Sequence, residues 1–134
     1  MPRILVIDDQ KDVRAMIAIV LRVKHFEVVE AESAAAGLKA FEQSPFDLAI
    51  VDIFLQDASG FDVIARMREQ VPNLPVVAIS GMTSLDAAPQ STELMNLVCL
   101  QKPFRPNDLT AAIDEAYRRV QRNGGERAGM ARAV

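Results

Sequence analysis

The sequence predicts an α/β fold, a doubly wound, mostly parallel five-stranded sheet with helices on both faces. Three observations carry this reading. Five short apolar runs recur along the 134 residues. Longer segments lie between them, with apolar residues three or four positions apart, the period of a helix face. Runs and segments alternate, which is the pattern of β-α units joined by crossovers, and right-handed crossovers leave few topologies open.

Each element has its own justification. Arg3 to Ile7 reads as a buried strand, and Lys11 to Val23 as a helix with Val13, Met16, Ile17, Val20 and Leu21 on one face. Glu27 to Glu30 is a second short strand. Ser33 is placed to cap the next helix, whose inner face holds Leu38 and Phe41. Ser44-Pro45 ends that helix, because the residue before a proline disfavours helical backbone. Leu48 to Val51 is the third strand, and Ser59 is placed to cap a third helix that buries Ile64 and Met67. Pro75 to Ile79 and Leu97 to Leu100 are the fourth and fifth strands. Between them Pro89 interrupts the helical pattern, so that helix is expected to be short, kinked or displaced. Asn107 or Asp108 opens the last helix, with Leu109, Ile113, Ala116 or Tyr117, and Val120 facing in. The folded domain is expected over residues 1–122, and the Gly- and Ala-rich segment 123–134 reads as a disordered tail.

Composition narrows the function. Half of the residues are hydrophobic and 25% are charged, which excludes wholesale disorder. A net charge of −3 offers no footprint for nucleic acid or a membrane surface. The single cysteine, Cys99, allows no internal disulfide and suits a reducing compartment. The apolar run Ile4 to Ile7 is too short for a signal peptide or a membrane span, so a soluble cytoplasmic protein is expected.

Ligands of open parallel sheets bind outside the carboxyl ends of the strands. The first strand leads into Asp8 and Asp9, the third into Asp52, the fourth into Ser80, and the fifth into Gln101, Lys102 and Pro103. Any one of these has an ordinary explanation: Asp8 or Asp9 as a helix cap, Ser80 as a turn residue, Lys102 as a solvated charge. Asp52 is harder to dismiss, since it follows four apolar residues directly. Clustered carboxylates repel and call for a cation, and hard oxygen ligands suit Mg²⁺. A metal so held can take a phosphoryl oxygen, with Lys102 and the Ser80 hydroxyl on the others. A carboxylate beside such a cluster can itself accept the phosphoryl group as an acyl phosphate. Asp52, on a central strand, is the candidate.

The segments Ile7-Asp8-Asp9, Val51-Asp52, Ile79-Ser80 and Lys102-Pro103-Phe104, in this order and on these strands, resemble the receiver domain of two-component response regulators. The resemblance covers about residues 3–122. It implies a flavodoxin-like fold with sheet order 2-1-3-4-5. It implies Asp52 as phosphoacceptor, Asp9 as a direct Mg²⁺ ligand helped by Asp8, and the backbone carbonyl of Phe54 as a further ligand. Ser80 and Lys102 would bind phosphoryl oxygens, and the Lys102–Pro103 bond would be cis. The donor would be a histidine kinase or histidine phosphotransfer protein, and an unknown downstream protein would receive the signal; homodimerisation is an open option.

The chain departs from the family pattern at several positions. Gln56 stands where a proline is frequent, so the loop to Gly60 is expected to be more mobile. Ser59 replaces a frequent aspartate, Gly81 a common alanine, and Met95-Asn96 a Gly-Ala pair. Cys99 occupies the position where the family usually has a switch aromatic, and a cysteine has no ring to swing. His25 reads as a surface loop residue. The alternative of a pseudo-receiver, a binding module without regulated phosphorylation, draws on Cys99 and is opposed by the complete acid, hydroxyl and lysine set. A haloacid dehalogenase-type phosphatase is disfavoured because Gln10 stands where its second acid is needed, and a flavin- or nucleotide-binding protein of similar topology because Asp8-Asp9-Gln10-Lys11-Asp12 offers no glycine-rich phosphate loop.

Overall fold

The computed structural model describes residues 1–81 and 97–132, with side chains described through Gln121. Its strands are β1 (Arg3–Ile7), β2 (Glu27–Ala31), β3 (Leu48–Asp52), β4 (Val76–Ser80) and β5 (Val98–Gln101). Its helices are α1 (Lys11–Val23), α2 (Ala34–Gln43), α3 (Gly60–Gln70) and α4 (Pro106–Arg132). The sheet is parallel throughout, in the order β2-β1-β3-β4-β5. This is the expected fold. The helical segment expected between β4 and β5, with Pro89, Met95 and Asn96, lies outside the described residues.

Strand side chains alternate between the two faces, and the core divides accordingly. Leu5, Ile7, Ala49, Val51, Val76 and Ala78 face α2 and α3, where Phe41, Val63, Ile64 and Met67 cover them. Ile4, Val6, Leu48, Ile50, Val77 and Ile79 face α1 and α4, against Ile17, Leu21, Leu109, Ile113 and Ala116. Every residue of β3 and β4 is buried. Burial on both faces explains their continuous apolar runs. Each fully buried Leu or Ile contributes about 1.5–3 kcal/mol relative to exposure.

The caps follow the local sequence. Ser33 Oγ accepts the N–H of Ala36 at 3.1 Å, and Ser59 Oγ that of Phe61 at 3.2 Å. The last helix opens at Pro106, earlier than Asn107 or Asp108. Proline suits a first helical position, whose N–H has no intrahelical partner. Asp108 reaches back to the N–H of Arg105 at 2.9 Å, as a capping acid does. The chain turns out of α1 just past its C-cap Lys24, at His25, whose φ of 68° is left-handed. Its N–H meets the carbonyl of Arg22, and that of Phe26 the carbonyl of Leu21.

Strand bounds shift by single residues: β3 and β4 take in Asp52 and Ser80, while β4 and β5 begin one residue later than Pro75 and Leu97. The backbone of α4 is helical to Arg132. Once a helix is nucleated, each added residue costs little, and Ala, Arg, Glu and Met offset the glycines.

Candidate functional site

Because all five strands run the same way, their carboxyl ends meet at one edge. Asp8 follows β1 and is fully buried, and its backbone N–H still bonds the carbonyl of Ala31 at 3.1 Å. Its Oδ1 accepts the N–H of Gln10 at 2.8 Å, a short turn that starts α1. Arg14, one helical turn further on, donates from Nη1 to the carbonyl oxygen of Asp8 at 2.7 Å and from Nε to Glu30 at 3.3 Å. The helix cap expected of an isolated aspartate is not formed, since Gln10 is the N-cap of α1 and no side chain caps it; Asp8 makes this preceding turn instead. It uses one of the two carboxylate oxygens.

Asp52 closes β3 and is buried as well. Its Oδ1 accepts the N–H of Phe54 at 3.0 Å, and its Oδ2 accepts from Lys102 Nζ at 3.0 Å. Burial pushes its carboxyl pKa up, and the nearby Asp8 adds to this; the Phe54 N–H and Lys102 pull the other way without cancelling the rise. Lys102 is reached through the β5 exit, where its backbone N–H donates to the Ser80 carbonyl at 2.8 Å. The Lys102–Pro103 peptide bond is cis. Lys102 Nζ lies 3.0 Å from Asp8 Oδ2, 3.0 Å from Asp52 Oδ2 and 2.8 Å from Gln10 Oε1. Burial works against its charge, but Asp8 and Asp52 more than offset this and hold the ammonium above its usual pKa.

The carboxylates of Asp8, Asp9 and Asp52 each offer an oxygen, and these oxygens lie within 4.8 Å of one another. Asp8 Oδ2 is buried and accepts no hydrogen bond of good geometry, although the Lys102 charge is near. A buried carboxylate oxygen without a donor is costly unless a cation meets it. Three hard oxygens around that atom fit a Mg²⁺ ion.

The same edge opens into a cleft of about 760 Å³ whose walls include Asp9, Asp52, Phe54, Gln56, Lys102 and Phe104. Asp8 forms the buried floor beside it. Ser80 ends β4 at this edge, fully buried. Phe54 is 52% exposed and stands at the rim. Among the described residues, a Cβ added at Gly81 would meet only Lys102 Cδ, at an ordinary 3.9 Å. Cys99 is exposed on β5, in place of any aromatic ring; partial desolvation by its neighbours still raises the thiol pKa, with Arg119 lowering it in part.

Three participants were not singled out from the sequence: Gln10, Arg14 and Asp57. Asp57 lies in the β3–α3 loop, and its two oxygens accept the N–H groups of Ala34 and Ala35 at 3.0 and 3.1 Å. The loop expected to be loose for want of a proline is therefore tied to α2. The Gly60 N–H closes its base on the Ile53 carbonyl at 2.8 Å.

A doubly wound parallel sheet that gathers three aspartates and a lysine at its strand ends defines a flavodoxin-like protein with an acidic, cation-seeking cleft. The sequence model of the response regulator receiver domain matches residues 4–114, and the chain belongs to that family. Receiver domains serve two-component signalling as phosphoacceptors. Among similar proteins, the photosynthetic apparatus regulatory protein RegA of Rhodovulum sulfidophilum is 30% identical over 84% of this chain, which spans 61% of RegA. The response regulator receiver protein CpdR of Brucella abortus is 27% identical, with 86% of this chain and 96% of CpdR covered. A receiver domain structure from Clostridium thermocellum superposes with a TM-score of 0.78 at 30% identity, covering 89% of this chain and 96% of that one. A CheY-like receiver from Methanospirillum hungatei gives 0.79 at 27% identity, covering 92% and 98%. No helix among the described residues is long and apolar enough to cross a membrane.

Proposed function

We propose that the chain is a cytoplasmic, single-domain receiver that accepts a phosphoryl group on Asp52 from the phosphohistidine of a histidine kinase or phosphotransfer protein. The observation that carries this is the placement of Lys102 Nζ 3.0 Å from the buried Asp52 carboxylate, within the acid cluster. An Asp52 oxygen attacks phosphorus, a P–O bond forms, and the P–N bond to the imidazole breaks. The leaving imidazole keeps the electron pair and takes a proton from solvent. The Phe54 N–H orients the acceptor carboxylate. Lys102 neutralises charge on the transferring oxygens, and the Ser80 hydroxyl is assigned to another of them. Asp8, Asp9, Asp52 and the Phe54 carbonyl would hold Mg²⁺, which supplies further charge neutralisation when bound.

The single-domain reading leans on the likeness to CpdR, which this chain covers almost end to end. The product adds roughly −1.5 to −2 of charge at the site, and a downstream protein would read that change. Labelling by a phosphodonor with Mg²⁺ tests the proposal. Wild type takes up about one phosphoryl group per chain and Asp52→Asn takes up none. Stoichiometric labelling of Asp52→Asn would refute the acceptor assignment. Beryllofluoride, a phosphoryl mimic, should shift the wild-type spectrum only when Mg²⁺ is present; no shift would leave a pseudo-receiver.

A further inference from the structure

The loop between β3 and α3 carries Phe54 and is held at three points. Its start is fixed by the Phe54 N–H on Asp52 Oδ1 at 3.0 Å. Its base is closed by the Gly60 N–H on the Ile53 carbonyl and by a bridge between Phe54 and Ser59. Its apex, near the exposed Gln56, is held by Asp57, whose carboxylate crosses to α2 and spans the Ala34 and Ala35 N–H groups.

As a helix cap this carboxylate is partly redundant. Ser33 already caps α2, its Oγ taking the Ala36 N–H and its carbonyl the Gly37 N–H. Of the two further donors at that end, the Ala35 N–H is at the surface and would be met by water if Asp57 were absent, while Ala34 is buried and its N–H depends more on this carboxylate. The contact acts at the loop end as well as on the helix. Both oxygens are engaged, so the bond sets the orientation of the apex as well as its distance, and the positive end of α2 favours the charge. Gln56 supplies none of the fixed φ that a proline would.

We propose that Asp57 is a positioning residue for the acid cluster: by anchoring the apex of the β3–α3 loop to α2, it holds the Phe54 backbone against Asp52 and the cation site. This rests on the Mg²⁺ reading given above for its metal arm, and on the Asp52–Phe54 hydrogen bond alone for its second arm. Groups that support metal ligands without touching the metal typically change affinity about 10- to 100-fold when removed.

Mg²⁺ titration of the whole chain, followed by backbone amide shifts, tests this with three variants. Asp57→Ala should weaken Mg²⁺ binding by about tenfold. Asp57→Asn keeps an acceptor oxygen and should recover part of that loss. Ser33→Ala removes a cap from the same helix without touching the loop, and should leave Mg²⁺ affinity within about twofold of wild type. Amide exchange supplies a readout that needs no metal. The Phe54 N–H should exchange about tenfold faster in Asp57→Ala and unchanged in Ser33→Ala. Unchanged Mg²⁺ affinity together with unchanged Phe54 exchange in Asp57→Ala overturns the proposal. An equal effect of Ser33→Ala also overturns it, because the cause would then be helix stability. A wild type without a saturable Mg²⁺ response sinks the metal reading instead, and the exchange comparison then decides the role of Asp57.

Discussion

Gly60 packs its α-carbon directly on the backbone of Asp52. A Cβ at this position would collide with the Asp52 carbonyl oxygen and lie 2.6 Å from the Ile53 Cα. The first residue of α3 is thus pressed against the strand end that carries Asp52. The obstacle is backbone, which cannot turn aside as a flexible side chain can. Overpacking costs about 1–3 kcal/mol, and alanine in a helix recovers at most about 1 kcal/mol over glycine. Gly60→Ala should therefore lose about 1–2 kcal/mol in denaturant unfolding and slow phosphoryl uptake, because Asp52 moves. A variant as stable and as fast as wild type would contradict this.

Lys102 sits between two buried carboxylates, so removing it leaves Asp8 and Asp52 facing each other uncompensated. Breaking a buried ion pair by deleting one partner typically costs about 3–5 kcal/mol. Lys102 is partly exposed, which screens the loss, and about 2–3 kcal/mol is expected for Lys102→Met in metal-free unfolding. The same variant should bind Mg²⁺ several-fold more tightly than wild type, since no ammonium then competes for Asp8 Oδ2. Equal or weaker Mg²⁺ binding in Lys102→Met would count against the cation competition.

The fold was legible in the sequence because its signals are local. Leu48 to Val51 and Val76 to Ile79 are unbroken apolar runs, which only a strand covered on both faces requires. Asp8, Asp52 and Lys102 could be placed at one edge because parallel strands deliver their ends together. Gln10 and Asp57 could not be found that way. Gln10 meets Lys102 across 92 positions of chain, and Asp57 meets Ala34 across 23. No periodicity or adjacency marks such pairs, and only the packed fold brings them together. Asp57 also changed the meaning of Gln56: a missing proline suggested a loose loop, yet the neighbouring residue ties it down.

The Asp57 bond also carries a pH signature. The Ala34 N–H first, and the Ala35 N–H second, hold its carboxyl below the ordinary value of 3.8. A carboxyl whose folded pKa is depressed stabilises the fold above its unfolded pKa, and that contribution disappears as pH falls through the lower, folded value. The stability gap between wild type and Asp57→Asn should therefore be full at pH 5–7 and close progressively below about pH 4. Unfolding midpoints across this range would show it. A gap that stays constant down to pH 2 would mean that the charge of Asp57 plays no part.

Phe54 gives the last test. Its backbone is bonded to Asp52, the proposed acceptor, while its half-exposed ring stands at the rim of the cleft that opens on that residue. An acyl phosphate on Asp52 is lost when water attacks phosphorus from the open side. A large apolar ring at that rim offers an incoming water no hydrogen bond and occupies part of its approach, whereas an amide in the same place can hold and orient it. Phe54→Asn should hydrolyse the phosphoryl group about fivefold faster than wild type, equivalent to roughly 1 kcal/mol of barrier. The substitution leaves the backbone N–H and carbonyl in place, so Mg²⁺ affinity and labelling stoichiometry should stay near wild type. Phe54→Leu keeps an apolar group at the rim and should stay slow. Unchanged or slower loss of phosphate from Phe54→Asn would show that the ring does not screen the acceptor.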